Sequence, residues 1–114
     1  MLPVSHRLRR ETDIKRLFDK GKGVFDDLCG IKFLKNGLQE TRFAVIAGTK
    51  VSKSAVKRNR VKRQVRAVVE KHLAQVVPGF DVALLVRSPA LKSEYAEIEK
   101  HLLRGLAKGG IVKL

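Results

Sequence analysis

Residues 52 to 76 read SKSAVKRNRVKRQVRAVVEKHLAQV. Val61, Val65, Val68, Val69, His72, Leu73 and Val76 recur at the period of an α-helix and share one face. Arg60, Lys62, Arg63 and Arg66 project over the opposite side and its flank. Pro78-Gly79 stops this helix. The stretch Phe80 to Arg87 then reads as a strand, with Val82, Leu84 and Val86 alternating against Ala83 and Leu85. Its near-continuous apolarity predicts burial on both faces. A long amphipathic helix followed by a doubly buried strand requires a helix layer packed on a sheet.

The rest of the chain supplies the other pieces. Towards the C-terminus, Ser88-Pro89 breaks the strand, Ser93 to Lys108 is a second amphipathic helix, and Gly109-Gly110 ends it. Residues 111–114 read as a frayed tail. Towards the N-terminus, Arg42 to Thr49 is a strand and Asn36-Gly37 a tight-turn signal. Val24 to Leu34 is strand-like, so these pieces suggest an antiparallel hairpin or meander. Glu11 to Lys20 is a short helix, with Thr12 as its cap, Asp13 in its first turn and Ile14, Leu17 and Phe18 on one stripe. Residues 1–10 read as a flexible basic arm. The order α-β-β-(β)-α-β-α predicts an α+β fold, a two-layer α/β sandwich in one domain spanning residues 1–114. Its helices are expected on one face of a central sheet, leaving the other face, or a groove beside it, for a ligand.

Composition narrows the ligand. The 114 residues hold 25 Lys and Arg against 11 Asp and Glu, a net charge of +14. Such an excess costs self-repulsion and points to an anionic partner, nucleic acid or an acidic membrane. Between Glu40 and Glu70 there is no acidic residue, while Arg42, Lys50, Lys53, Lys57, Arg58, Arg60, Lys62, Arg63 and Arg66 all lie there. A smaller cluster is His6, Arg7, Arg9 and Arg10. A merely solvated face interleaves both signs, as residues 92–114 do. The single cysteine, Cys29, excludes an internal disulfide framework and suits a reducing cytoplasm. No run is long enough to span a bilayer, and the N-terminus lacks the apolar stretch of a secretory signal.

Cations at the start of a helix oppose its macrodipole and repel one another at i, i+3 and i+4. Lys57-Arg58-Asn59-Arg60-Val61-Lys62-Arg63 places five of them in that position, which makes sense when an anion is bound. Arg offers a planar fork for phosphate, and Asn59 can read a base edge or sugar hydroxyl, or else serve as a cap or bridge. A lipid-surface helix would carry bulkier apolar anchors than this valine face. No helix-turn-helix, zinc-finger or zipper spacing is visible, which favours RNA over duplex DNA. Phe18 and Phe33 are the best candidates for stacking unpaired bases on an open sheet face. Catalytic signals are sparse. His6, His72 and His101 lie far apart in sequence, Asp26-Asp27 is the one acidic pair, and no phosphate-binding glycine loop or activated serine motif is present. A stand-alone ribonuclease using those histidines is one alternative, and a structural RNA-binding protein of similar fold is another.

Lys57-Arg58-Asn59-Arg60-Val61-Lys62-Arg63-Gln64-Val65-Arg66 resembles the Arg-Asn-Arg signature of the bacterial ribonuclease P protein subunit. The resemblance extends to Arg9 through Gly21, Arg42-Phe43-Ala44-Val45, Thr49 through Val56, and Phe80 through Ala90. It implies an α/β sandwich with a left-handed crossover and a role beside a large catalytic RNA. That ribonucleoprotein removes the 5′ leader of precursor tRNA in a magnesium-assisted hydrolysis, with Mg2+ held mainly by the RNA and no catalytic group in the protein. By the resemblance, Arg58, Asn59, Arg60, Lys62, Arg63 and Arg66, with Lys50, Lys53 and Lys57, contact RNA or organise that surface. A cleft between the first helix and the sheet, with Ile14, Phe18, Lys32 and Thr49, takes the leader. Many members carry aromatic residues where Ile14 and Lys32 stand, so backbone electrostatics are expected to contribute more here than stacking.

Overall fold

The computed structural model describes residues 2–113 and contains seven principal elements. They are α1 (Glu11–Lys20), β1 (Lys22–Phe25), β2 (Cys29–Lys35), β3 (Arg42–Ile46), α2 (Ala55–Lys71), β4 (Phe80–Val86) and α3 (Tyr95–Lys108). The strands form one sheet in the order β1-β2-β4-β3. β1 and β2 are antiparallel, as are β2 and β4, whereas β3 and β4 run parallel and are joined through α2. The fold is α+β, as expected.

Strand pairing departs from the expected meander. β2 and β3 are not neighbours, because β4 lies between them. β4 is the most continuously apolar strand, and the central position buries both its faces and both its edges. Asn36-Gly37 still turns the chain, with Gly37 at φ 71°, but it leads into a connection that passes β4. The Asn36 backbone N–H donates to the Gly79 carbonyl at 2.9 Å. The Val24–Leu34 stretch is two strands rather than one. Between them the Asp26 carboxylate accepts the backbone N–H groups of Leu28 and Cys29 at 2.8 and 2.9 Å, a turn that Asp forms readily.

Register sorts the side chains into two layers. Ile31, Phe33, Val82, Leu84, Phe43 and Val45 share one face. They pack with Val61, Val65, Val68 and Val69 of α2 and with Ile98, Leu102 and Leu106 of α3. Lys32, Leu34, Ala83, Leu85, Ala44 and Ile46 point the other way, where Leu17 of α1 is buried with Leu8 and Ala83. The expectation of helices on one face is therefore corrected: α2 and α3 cover one face and α1 lies on the other. α1 is too short to roof four strands, so part of its face stays open.

Both terminal segments differ from expectation. Leu2 and Leu8 are buried, so residues 2–10 are not a free arm. The Leu8 N–H donates to the Phe43 carbonyl at 2.8 Å, Arg7 bridges to Phe43 in parallel, and His6 Nδ1 lies 2.8 Å from the Thr41 carbonyl. Two leucines and the open edge of β3 supply the binding energy that a purely basic segment lacks. At the other end Ile111 and Val112 are buried. The Ile111 carbonyl accepts from Val77 at 2.7 Å, and Lys113 N–H donates to the Gln75 carbonyl at 3.0 Å. Met1 and Leu114, the outermost residues of those two segments, lie outside the described residues. α1 begins at Glu11 with Arg10, not Thr12, at its cap position and no side-chain capping bond.

Candidate nucleic-acid interface

The start of α2 is built by two serines. Ser54 Oγ accepts the Lys57 N–H at 3.3 Å, and Ser52 Oγ accepts the Ser54 N–H at 3.1 Å. Arg58 is half-buried and donates from Nη1 to the Ser52 carbonyl at 2.8 Å. It ties the preceding loop to the helix. Lys57, Asn59, Arg60, Arg63 and Arg66 are exposed and Lys62 is half-exposed. Among the described residues, none of the α2 cations from Lys57 to Arg66 lies within ion-pair distance of a carboxylate. Among the described residues the Asn59 side chain makes no hydrogen bond, so it is not used as a bridge. The helix thus carries an unneutralised cationic surface held rigid on the valine layer beneath it.

A groove of about 490 Å³ runs along the edge of β3, with Leu2, Phe43 and Val45 lining it from the α2 side as well as residues of the α1 side. Its floor includes Leu8, Ile14, Ala44 and Ile46, and Arg7, Arg9 and Arg66 line it. Arg66 therefore connects the cationic helix to the groove. Of the other expected cleft residues, Phe18 is 36% exposed and Lys32 is bound to it. Lys32 Nζ donates to the Phe18 carbonyl at 2.9 Å and stands 5.7 Å from the centre of its ring. Thr49, Lys50 and Lys53 are exposed on the loop between β3 and α2. Phe33 is not on this face. It packs edge-on against Phe80 at 6.3 Å and beneath Gly109 in the α2–α3 layer, because odd-numbered residues of β2 point there. The ring on the open face is Phe25, which sequence reasoning passed over and which two nearby glycines, Gly23 and Gly30, could have signalled.

One cation of the acid-free stretch is withdrawn from the surface. Arg42 donates from Nε and Nη2 to the two oxygens of Asp81, each at 2.8 Å, and from Nη2 to Asp13 of α1 at 3.3 Å. Asn36 Nδ2 gives Asp81 a further bond at 2.9 Å. The hydrogen bonds to Asp81 raise the Arg42 pKa against the opposing effect of burial, and the Asp81 and Asp13 charges add to the rise. The cluster joins α1 to the centre of the sheet.

The three histidines are not brought together. His6 lies by Thr41 and Glu40, His72 by Gln75 and Glu99, and His101 by Asp26 and Glu97. Burial pushes the Asp26 carboxyl up, but hydrogen bonds from the Cys29 N–H, His101 and the Leu28 N–H outweigh it and hold the pKa low. Among the described residues no group of three His, Cys, Asp or Glu side chains is placed to hold a metal ion. No helix among them is long and apolar enough to cross a membrane.

These features define a class: an α+β protein with a cationic helix face unpaired among the described residues and a basic-rimmed apolar groove, chemistry that suits a polyanion. Comparison with known proteins agrees and goes further. The family model for ribonuclease P matches residues 2–109. The ribonuclease P protein component of Pseudanabaena sp. is 35% identical over 98% of this chain and 97% of its own length. That of Syntrophomonas wolfei is 33% identical, over 97% and 92%. The ribonuclease P protein of Staphylococcus aureus has the same fold, with a TM-score of 0.86 at 22% identity over 95% of this chain and 98% of its own. The Thermotoga maritima protein superposes with a TM-score of 0.78 at 25% identity over 86% and 92%. The chain belongs to the ribonuclease P protein family. That family places it in tRNA 5′-end processing, in an endoribonuclease complex with an RNA partner.

Proposed function

We propose that the chain is the accessory subunit of a ribonuclease P whose chemistry resides in its RNA, and that it acts in the cytoplasm. The exposed face of α2, with Lys57, Asn59, Arg60, Lys62, Arg63 and Arg66, binds the phosphates and sugars of RNA. Arg58 holds the loop that carries Lys50 and Lys53 against it. The groove and open sheet face beside α1, with Ile14, Phe18, Lys32 and Thr49, take the 5′ leader of precursor tRNA. The observation that carries this reading is the set of α2 cations without a carboxylate partner among the described residues, since an unpaired like-charged helix face is destabilising until an anion covers it.

The charged groups of these surfaces are guanidinium and ammonium, with no carboxylate among the proposed contact residues. Arg and Lys have no lone pair for a hard dication, and Mg2+ takes oxygen ligands. Magnesium would therefore be held by RNA oxygens, with the protein screening phosphate repulsion and positioning the leader.

The test is cleavage of precursor tRNA at low magnesium, with a bacterial ribonuclease P RNA and with or without the protein. Correct 5′ maturation only when both are present is the expected result. Cleavage by repurified protein alone, lost on His→Ala substitution, would replace this reading with the histidine nuclease. Tight salt-sensitive RNA binding with no effect on cleavage would replace it with a structural RNA-binding role.

A further inference from the structure

The sheet register aligns Phe25, Gly30, Leu85 and Ile46 in one row across all four strands. This row lies on the α1 side but at the end that α1 leaves open, one row beyond Gly23, Lys32, Ala83 and Ala44. Ile46 is shared with the groove beside β3, so the row extends that groove across the sheet.

The Phe25 side chain lies down on the backbone. A Cβ built on Gly23 would stand 2.5 Å from Phe25 Cε2, and one on Gly30 would stand 2.7 Å from Cδ1. Both glycines are therefore needed for the ring to occupy its place, one on its own strand and one directly opposite. Yet the residue is 57% exposed and belongs to neither buried cluster. One side of the ring is seated on glycine backbone beside Leu85, and the rest faces solvent. A residue that served only core packing would be covered.

We propose that Phe25 is a stacking platform for one unpaired base of single-stranded RNA, seated by Gly23 and Gly30. The proposal rests on the RNA-binding reading above and names a base-binding position within it. Charge favours this occupant. Lys32 stands in the adjacent row, and the groove that continues from Ile46 is rimmed by Arg7, Arg9 and Arg66. The Asp26 carboxylate next to Phe25 is engaged by backbone N–H groups and by His101 of α3. Asp27 is the nearby acid that stays exposed. A flat ring fixed on a rigid sheet binds any base face with little loss of side-chain freedom.

The experiment uses holoenzyme assembled with a bacterial ribonuclease P RNA. Its probes are precursor tRNAs carrying 2-aminopurine at single leader positions. Wild type is expected to quench one leader position, and Phe25→Ala to abolish that quenching. Phe25→Ala should also weaken precursor binding by about 5-fold to 150-fold without changing affinity for tRNA lacking a leader. Phe25→Tyr should retain both signals, and Phe25→Leu, which keeps apolar area but has no ring, should lose the quenching. Each variant is expected to melt like wild type, since the ring is mostly exposed. Precursor affinity within 2-fold of wild type for Phe25→Ala, or Leu equal to Phe, would overturn the platform while leaving the subunit reading intact if cleavage persists. A wild-type holoenzyme that neither cleaves nor distinguishes precursor from leaderless tRNA would remove both. A change in self-association on Phe25→Ala with unchanged RNA binding would mark the patch as a protein contact instead and overturn the platform.

Discussion

Arg42→Met separates a structural cation from those proposed to bind RNA. Arg42 sits in the acid-free stretch with Lys50 through Arg66, but its guanidinium makes a two-pronged contact with Asp81, both bonds at 2.8 Å. The Asp81 side chain is 2% exposed and that of Arg42 17%. Met keeps most of the stem volume and removes the charge. Asp81 is then left buried with Asn36 Nδ2 as its remaining side-chain donor. Breaking a buried pair from one side costs about 3–5 kcal/mol, because the surviving charge is uncompensated. A domain of this size has about 5–15 kcal/mol of stability in all, so the loss is about a fifth or more.

The assay is urea unfolding followed by circular dichroism, with the midpoint falling and the slope m unchanged. Adding Asp81→Asn to Arg42→Met should recover part of the loss, since it removes the stranded charge. RNA binding is measured in parallel across salt concentrations. With about five phosphate contacts, log K is expected to fall with log salt at a slope of about −3.5 to −4.5. Arg42→Met should leave that slope unchanged under conditions where the variant is folded. Arg60→Ala with Arg63→Ala should reduce its magnitude by about 1.4–1.8 at little cost in stability. An Arg42→Met loss below about 1 kcal/mol, or a slope that drops with it, would refute the division into structural and RNA-binding cations.

Three further outcomes are expected. Burial, with a smaller contribution from Asp26, pushes the Cys29 thiol up to about 12; the native protein should resist alkylation at pH 8 and react on unfolding, and rapid native labelling would contradict the packing of β2. Asp26 has its folded pKa depressed, so its contribution to stability is present above the ordinary carboxylate range near pH 4 and is lost as pH falls through the lowered value. Asp26→Asn should flatten that acid limb in thermal melts, and an unchanged limb would show the carboxylate is not engaged. Leu8→Ala deletes a buried side chain that anchors the N-terminal segment and should cost about 2–5 kcal/mol; a cost near zero in urea melts would restore the flexible arm.

Local periodicity made much of this molecule legible. The α2 face of Val61, Val65, Val68 and Val69 and the continuous apolarity of β4 both follow from nearest-neighbour geometry, and both hold in the structure. Strand order did not follow. Asn36-Gly37 favours a turn whatever strand comes next, and only non-local burial decides that β4 separates β2 from β3. The same limit hid the side of the sheet on which α1 lies and the face on which Phe33 lies. Charge suggests an arm at residues 2–10 and the Gly109-Gly110 stop suggests fraying after it, but neither local signal registers the burial of Leu2, Leu8, Ile111 and Val112. Arg42 shows the corresponding limit for the site: a run of cations in sequence does not distinguish a guanidinium locked to Asp81 from one that is free.

The distribution of acids explains how a chain of +14 can fold and still keep an unpaired cationic face. Asp13 and Asp81 hold Arg42, Asp26 and Glu97 hold His101, and Glu99 holds Lys71 and His72. These contacts join α1 to the sheet, the β1–β2 turn to α3, and the end of α2 to α3. None of them falls on the first three turns of α2, where Lys57 through Arg66 repel one another and oppose the helix dipole. The opposing effect is supplied by Val61, Val65, Val68 and Val69, all essentially buried, together with the Ser54 cap. Burial of those side chains, at about 1.5–3 kcal/mol each, exceeds dipole and repulsion costs of a few tenths to about 1 kcal/mol per cation. The helix is thus held by its apolar face, and its charged face is free to respond to phosphate.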